Sequence, residues 1–185
     1  KHNLWSFTTV NFPSMGLLSL SQMGKLLRNE ISYTKLEDLP IPITIACTNL
    51  NLGRIEYFNN GPLVDLIQAS SSIPILFSPV KLNERHWYVD GGLIDNLPVA
   101  PLVNHCESII GANLNPNKEL QNIENMKDVA SRVFQLSIQV DRHLIEEHCD
   151  LVIEAEELLQ HDLLDANQAD DLYQLGYETA KKYLP

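Results

Sequence analysis

"YVDGGLIDNLPVAPL", Tyr88 to Leu102, sets an aspartate and two glycines where an apolar strand runs out and a helix is due to begin. Gly91 and Gly92 let the backbone turn sharply straight after Asp90. Asn96 is placed to cap the next helix, and Pro98 fits its first turn. Asp90 is thereby left at a strand end near a helix start, where α/β proteins gather their reactive groups. Alone, Asp-Gly-Gly after a strand is most often a turn. The surroundings have to decide.

Working outward, "PVKLNERHWYV" reads as a hairpin that delivers its second strand into Asp90. Further upstream, "SQMGKLLRNEI" spaces Met23, Leu26, Leu27 and Ile31 for one helix face, with Ser19 or Ser21 as its cap. "IPITIACTNL" reads as a buried strand over 43–47. Asn49-Leu50-Asn51-Leu52-Gly53 turns it into a second strand, "RIEYF". Asn60-Gly61-Pro62 then opens the helix "PLVDLIQAS", with proline in the first turn. Downstream, "SIIGAN" (108–113) and "DLVIEA" (150–155) are strand-length apolar runs. Between them Met126, Val129, Val133, Leu136, Val140 and Leu144 space one long helix over 126–148 and predict its buried stripe. A last helix over 167–183 is expected to bury Ala169, Leu172, Leu175, Ala180 and Tyr183. Apolar strands alternating with helices predict an α/β fold, a mainly parallel sheet with helices on both faces. No linker or composition break divides residues 1–185, so a single domain is expected.

The charge excludes one class of partner. Of 24 acids, eleven fall between His143 and Thr179, where there is no Lys or Arg; the rest of the chain balances thirteen acids against thirteen bases. Phosphate binding needs a basic stripe, so nucleic acid is not an expected partner. No apolar run approaches the roughly 18 residues of a membrane span. Cys47, Cys106 and Cys149 are odd in number and show neither disulfide nor zinc spacing. They read as buried thiols in a reducing compartment, hence a cytoplasmic location. No metal or cofactor pattern is present: neither a dinucleotide fingerprint nor a phosphate loop occurs. The chain opens Lys1-His2-Asn3, without methionine or signal-peptide pattern, and its gene is expected to start upstream.

"ASSSIPILFSPV" (Ala69–Val80), the hairpin, and then "YVDGGLIDNLPV" resemble the distal half of the patatin-like phospholipases, above all the bacterial members. Ala69, Ser70, Pro74, Phe77, Pro79, Asp90, Gly91, Gly92, Asn96 and Pro98 stand where that family's pattern puts them. The likeness runs from about Gly16 to the end of the chain, with "CDLVIEAE" and "DANQADDLYQLGYETAKKY" similar to the closing strand and helix. It implies a three-layer patatin-like domain and hydrolysis of lipid acyl esters by a Ser-Asp dyad. In that dyad Asp90 is the base, with Gly91, Gly92 and Asn96 as supporting motif residues. It also implies a lipid or acyl-ester substrate and peripheral contact with membranes, and leaves the oligomeric state open.

The family's serine sits in Gly-x-Ser-x-Gly, and a glycine-rich loop supplies its oxyanion hole; neither motif occurs in these 185 residues. Both precede the matched region in the family. The chain is therefore expected to be the distal part of a domain incomplete at its N-terminal side, inactive alone, with apolar surface on one flank of its sheet exposed or covered by a partner. Two alternatives stay open: a catalytically silent patatin-like binding or regulatory module, and an unrelated nucleotide-binding α/β domain.

Other residues carry weaker signals. His2, His86, His105, His143, His148 and His161 show no ligand spacing; His143 and His148 are five apart, off the four-residue step that puts two ligands on one helix face. Ser70, Ser71 and Ser72 read as a helix end more readily than as nucleophiles. "FPSMGLLSL" (Phe12–Leu20) is either core packing under the first helix or a lipid-facing flap.

Overall fold

The computed structural model describes residues 8–10, 15–116, 119, 122–140, 142–155, 157–158 and 166–183. They form two compact units, residues 1–95 and 96–185. In the first, β1 (Thr9–Val10) pairs antiparallel with β2 (Leu18–Ser19), and α1 follows at Ser21–Glu30. A four-stranded sheet holds β3 (Ile45–Asn49), β4 (Arg54–Phe58), β5 (Val80–Leu82) and β6 (His86–Asp90). Its order is β4-β3-β6-β5, and α2 (Leu63–Ser70) connects β4 to β5.

Every pairing in this sheet is antiparallel, which corrects the mainly parallel expectation. For β3–β4 and β5–β6 the reason is the length of the connections. Only Leu50–Gly53 separate β3 from β4, and Asn83–Arg85 separate β5 from β6, far too few residues for a parallel crossover. Asn49 builds the first turn: its Oδ1 accepts from the N–H groups of Asn51 and Leu52, both at 3.0 Å. Gly53 closes it at φ 63°. Asn83 and Glu84 both stand at positive φ, the turn geometry whose twist matches that of a hairpin. The helix thus joins two hairpins.

α2 lies on one face of this sheet. Leu63, Leu66 and Ala69 are buried with Cys47, Leu82, Tyr88 and Leu36, and Phe58 meets Tyr88 edge-on at 5.6 Å. Fully burying a leucine contributes about 1.5–3 kcal/mol, so this cluster fixes the sheet against its helix. A smaller cluster gathers Leu18, Leu20 and Phe77. The 12–20 segment therefore divides: Leu18 and Leu20 are core, Met15 and Leu17 are exposed, and residues 12–14 lie outside the described ones. The α1 cap also differs in detail. Leu20 is the capping residue, and Ser19 Oγ accepts from the Ser21 N–H at 3.2 Å.

In the second unit β7 (Ile110–Asn113) and β8 (Leu151–Glu154) pair in parallel, as their apolar runs predict. The segment after Asn96 forms a chain of turns rather than a helix, closed by bonds such as Leu102 N–H to Val99 O (2.8 Å). The long helix breaks in two, α3 (Met126–Ser137) and α4 (Arg142–His148). A capping box of Asn125 and Asp128 starts α3. Its stripe of Met126, Val129, Val133 and Leu136 is exposed, Met126 at 87%, against the expected burial; Val140, past the end of α3, is half-buried, and the Leu144 side chain lies outside the described residues. Periodicity shows which side of a helix is apolar, not whether anything lies on it. In α5 (Ala169–Tyr183) Thr179 is buried, whereas Ala169 and Tyr183 are exposed, against the expected burial, and Leu172, Leu175 and Ala180 are half-buried. No helix among the described residues is long and apolar enough to cross a membrane.

Candidate functional site

Asp90 is the last residue of β6, opposite Cys47 of β3 in the antiparallel register. Its N–H donates to Ser72 O at 3.0 Å, tying the strand end to the chain leaving α2. The backbone then turns at once into a single 3-10 turn, Gly91–Leu93. Here the sequence requires glycine. A Cβ on Gly91 would stand 2.6 Å from Ala46 O and 2.8 Å from Ala46 C, so the turn lies directly on the β3 backbone. That close approach aims the Gly92 N–H back at Asp90, whose Oδ1 accepts it at 2.8 Å.

The Asp90 carboxyl is half-buried. Burial pushes its pKa above the ordinary aspartate value, and the Gly92 N–H pulls the other way without cancelling it. Among the described residues Gly92 is the one donor shown to that carboxyl. Cys47, opposite it, is wholly buried, its thiol pushed up to about 12 by burial and then by the charges of Asp90 and Glu56. Such a thiol is inert at neutral pH.

Alternation along the strands puts Asp90, Tyr88 and His86 on one face with Cys47, Asn49 and Glu56. Beyond Cys47 this face holds a polar network that the sequence reading missed. Tyr88 donates to Glu56 Oε2 at 2.7 Å. Asn49 Nδ2 lies 3.1 Å from the Tyr88 hydroxyl and 3.2 Å from His86 Nδ1. Burial raises the Glu56 carboxyl, but hydrogen bonds from Tyr88, Arg54 and Asn49 outweigh it and leave the carboxyl below its usual range. A signal existed: in "RIEYF" the alternation sets Glu56 on the same side as core residue Phe58, so it needs a partner. On the opposite face Tyr57 donates to Asp95 Oδ2, a contact 38 positions apart in the chain that no local pattern shows.

The remaining candidates divide. Ser72 is wholly buried and its hydroxyl donates to Gln68 O at 2.7 Å, so it ends α2 instead of serving as a nucleophile. Ser70 closes α2 and Ser71 is its cap residue. Asn96 is half-buried in the turns that open the second unit. His86 belongs to the polar network, His105 and His143 are exposed, and His2 and His161 lie outside the described residues. Among the described residues no three His, Cys, Asp or Glu side chains gather as a metal site would need.

These features define a class: an α/β protein holding one desolvated carboxyl at a strand end, against a glycine turn pressed onto the neighbouring strand. Comparison with known proteins narrows it. The family model for patatin-like phospholipases matches residues 1–103, a span that contains Asp90, Gly91, Gly92 and Asn96. The chain belongs to the patatin-like phospholipase family. It is similar to an uncharacterized NTE family protein of Mycobacterium bovis, 34% identical over 101 residues, 54% of this chain and 28% of that protein. A lysophospholipase NTE1 of Mycosarcoma maydis is 28% identical over 102 residues, 55% of this chain and 5% of its own length. A lysophospholipase nte1 of Emericella nidulans is 21% identical over 209 aligned positions, 98% of this chain and 14% of that protein. The chain thus spans little more than a quarter of the mycobacterial relative and less of the fungal ones.

Proposed function

We propose that this chain is the distal part of a lipid acyl hydrolase of the phospholipase or lysophospholipase type. In this reading Asp90 is the general base for a serine carried outside these 185 residues. The observation that supports it is the setting of Asp90: a strand-end carboxyl, raised in pKa by burial and held by one backbone N–H.

A serine hydroxyl is a weak nucleophile until a neighbouring base takes its proton. With Oδ1 fixed by Gly92, Oδ2 of Asp90 accepts that proton as the serine oxygen attacks the acyl carbonyl carbon. The protonated Asp90 returns it to the alkoxide of the leaving alcohol as the ester C–O bond breaks. A water, deprotonated by the same carboxylate, then attacks the acyl carbon, and Asp90 returns that proton to the serine oxygen as its bond to the acyl group breaks. An ordinary aspartate, with a pKa near 3.9, is a poor base at neutral pH, and desolvation improves it. Gly91 and Gly92 keep the carboxyl in place, and the lipid substrate implies contact with a membrane surface.

The test uses the full-length protein. It should hydrolyse a lysophospholipid and be labelled by a fluorophosphonate at a serine upstream of residue 1. Labelling at no serine, together with unreleased fatty acid, would instead support a silent binding module.

A further inference from the structure

We infer that Tyr57 is a positioning residue for Asp90, acting through Asp95; this rests on the general-base reading above. The geometry forms a closed path on the sheet face away from α2. Tyr57 pairs with Ala46 across β4 and β3. Gly91 lies against the Ala46 backbone, so the turn after Asp90 passes beside Tyr57. That turn is held from within by Ile94 N–H to Gly91 O (3.0 Å) and Asp95 N–H to Gly91 O (2.9 Å). From without it is held by the Tyr57 hydroxyl, which donates to Asp95 Oδ2. Burial, and then Asp95, keep the Tyr57 hydroxyl above its ordinary pKa, so it remains a donor at physiological pH.

What Tyr57 fixes is the Gly91–Asp95 turn, and the turn aims the Gly92 N–H at Asp90. Without the latch the turn loosens and the N–H leaves Oδ1. Two effects follow. The carboxyl loses its orientation toward the serine, and it loses the Gly92 bond that favours its charged form, so its pKa moves further up. Among the described residues, the other ionisable groups on the Asp90 face of the sheet are Cys47 from β3, Arg54 and Glu56 on β4, and Tyr88 and His86 on its own strand. Among the described residues the hydrogen bond shown to the Asp95 carboxylate comes from Tyr57, and Asp95 is not among the causes of the Asp90 shift, so the turn is the route by which Asp95 reaches Asp90.

The experiment compares full-length wild type, Tyr57→Phe, Asp95→Ala, Asp95→Asn and Asp90→Asn. Each is assayed on a short-chain p-nitrophenyl ester over pH, with melting temperature alongside. Misplaced catalytic groups cost up to about 100-fold. Tyr57→Phe and Asp95→Ala should each lower kcat by about 10- to 100-fold with KM little changed, and shift the acidic limb of kcat/KM to higher pH. The double variant should be no worse than either single one. Asp95→Asn keeps an oxygen to accept from Tyr57 and should stay near wild type. Should Tyr57→Phe misfold, the Asp95 pair reads the same arm. An inactive Asp90→Asn with an unmoved acidic limb in Tyr57→Phe and Asp95→Ala overturns this inference alone, as does a uniform loss explained by melting. An active Asp90→Asn overturns the general-base reading, and the inference falls with it.

Discussion

Gly91→Ala isolates the contact on which the site is built. The added methyl would stand 2.6, 2.8 and 2.9 Å from O, C and Cβ of Ala46. Two of these are backbone atoms of a strand paired on both sides, so they cannot swing away as a flexible side chain would. Relief has to come from lifting the Gly91–Asp95 turn off β3. Forcing a methyl into such a contact costs about 2–3 kcal/mol, the upper part of the range for overpacking. For a chain of this size that lowers the melting temperature by roughly 4–12 °C. Gly176→Ala is the matched control: it lies in α5 with nothing within 4 Å of the new Cβ. It should gain about 0.5–1 kcal/mol, because alanine suits a helix interior better than glycine. Thermal melts followed by circular dichroism read both. An unchanged melting temperature in Gly91→Ala would refute the close approach, and with it the reason for glycine after Asp90.

Two further outcomes rest on titration and burial. Asp90 has a raised pKa in the folded chain, so the native state holds its proton more tightly than the unfolded one. Its ionisation therefore destabilises the fold, and stability falls as pH rises from the unfolded pKa through the folded one. Asp90→Asn should accordingly raise the melting temperature at neutral pH, with the gain vanishing in acid; urea melts at several pH values check this, and a gain confined to acid would contradict the sign. Of the three cysteines expected to be buried, Cys47 is buried, Cys149 is half-buried and Cys106 is exposed, so Cys106 should react with a maleimide in the native protein. Cys47, buried with its thiol near 12, should stay unlabelled until the protein is denatured.

The sequence was most legible where a local pattern meets a turn signal. The strand expected over 43–47 lies two residues on, at Ile45–Asn49, while "RIEYF" and the hairpin into Asp90 are strands in the structure. β7 and β8 pair in parallel, as two apolar runs separated by helices imply. The parallel expectation rests on the alternation of apolar strands with helices, and it fails in the first unit because the two hairpins legible there, joined by α2, build the sheet between them. The α3 stripe was right in spacing and wrong in burial, since a pattern does not contain its partner. Asp90 stood out through the glycines behind it. The contacts that define its setting did not: Gly91 on Ala46, Tyr57 on Asp95 and Asn49 on Tyr88 join residues some forty positions apart. Single-chain spacing carries no trace of them.

The most direct test of the account is the turnover of a short-chain ester by the full-length protein carrying Asp90→Asn. Asparagine retains the shape of the side chain and an oxygen to accept from Gly92, but it cannot take a proton at neutral pH. General-base assistance is worth about 100- to 10,000-fold, and a dyad has no second base to share the task. The account predicts a loss of that size in kcat with the fold intact. Activity within about threefold of wild type would show that Asp90 makes a turn and nothing more.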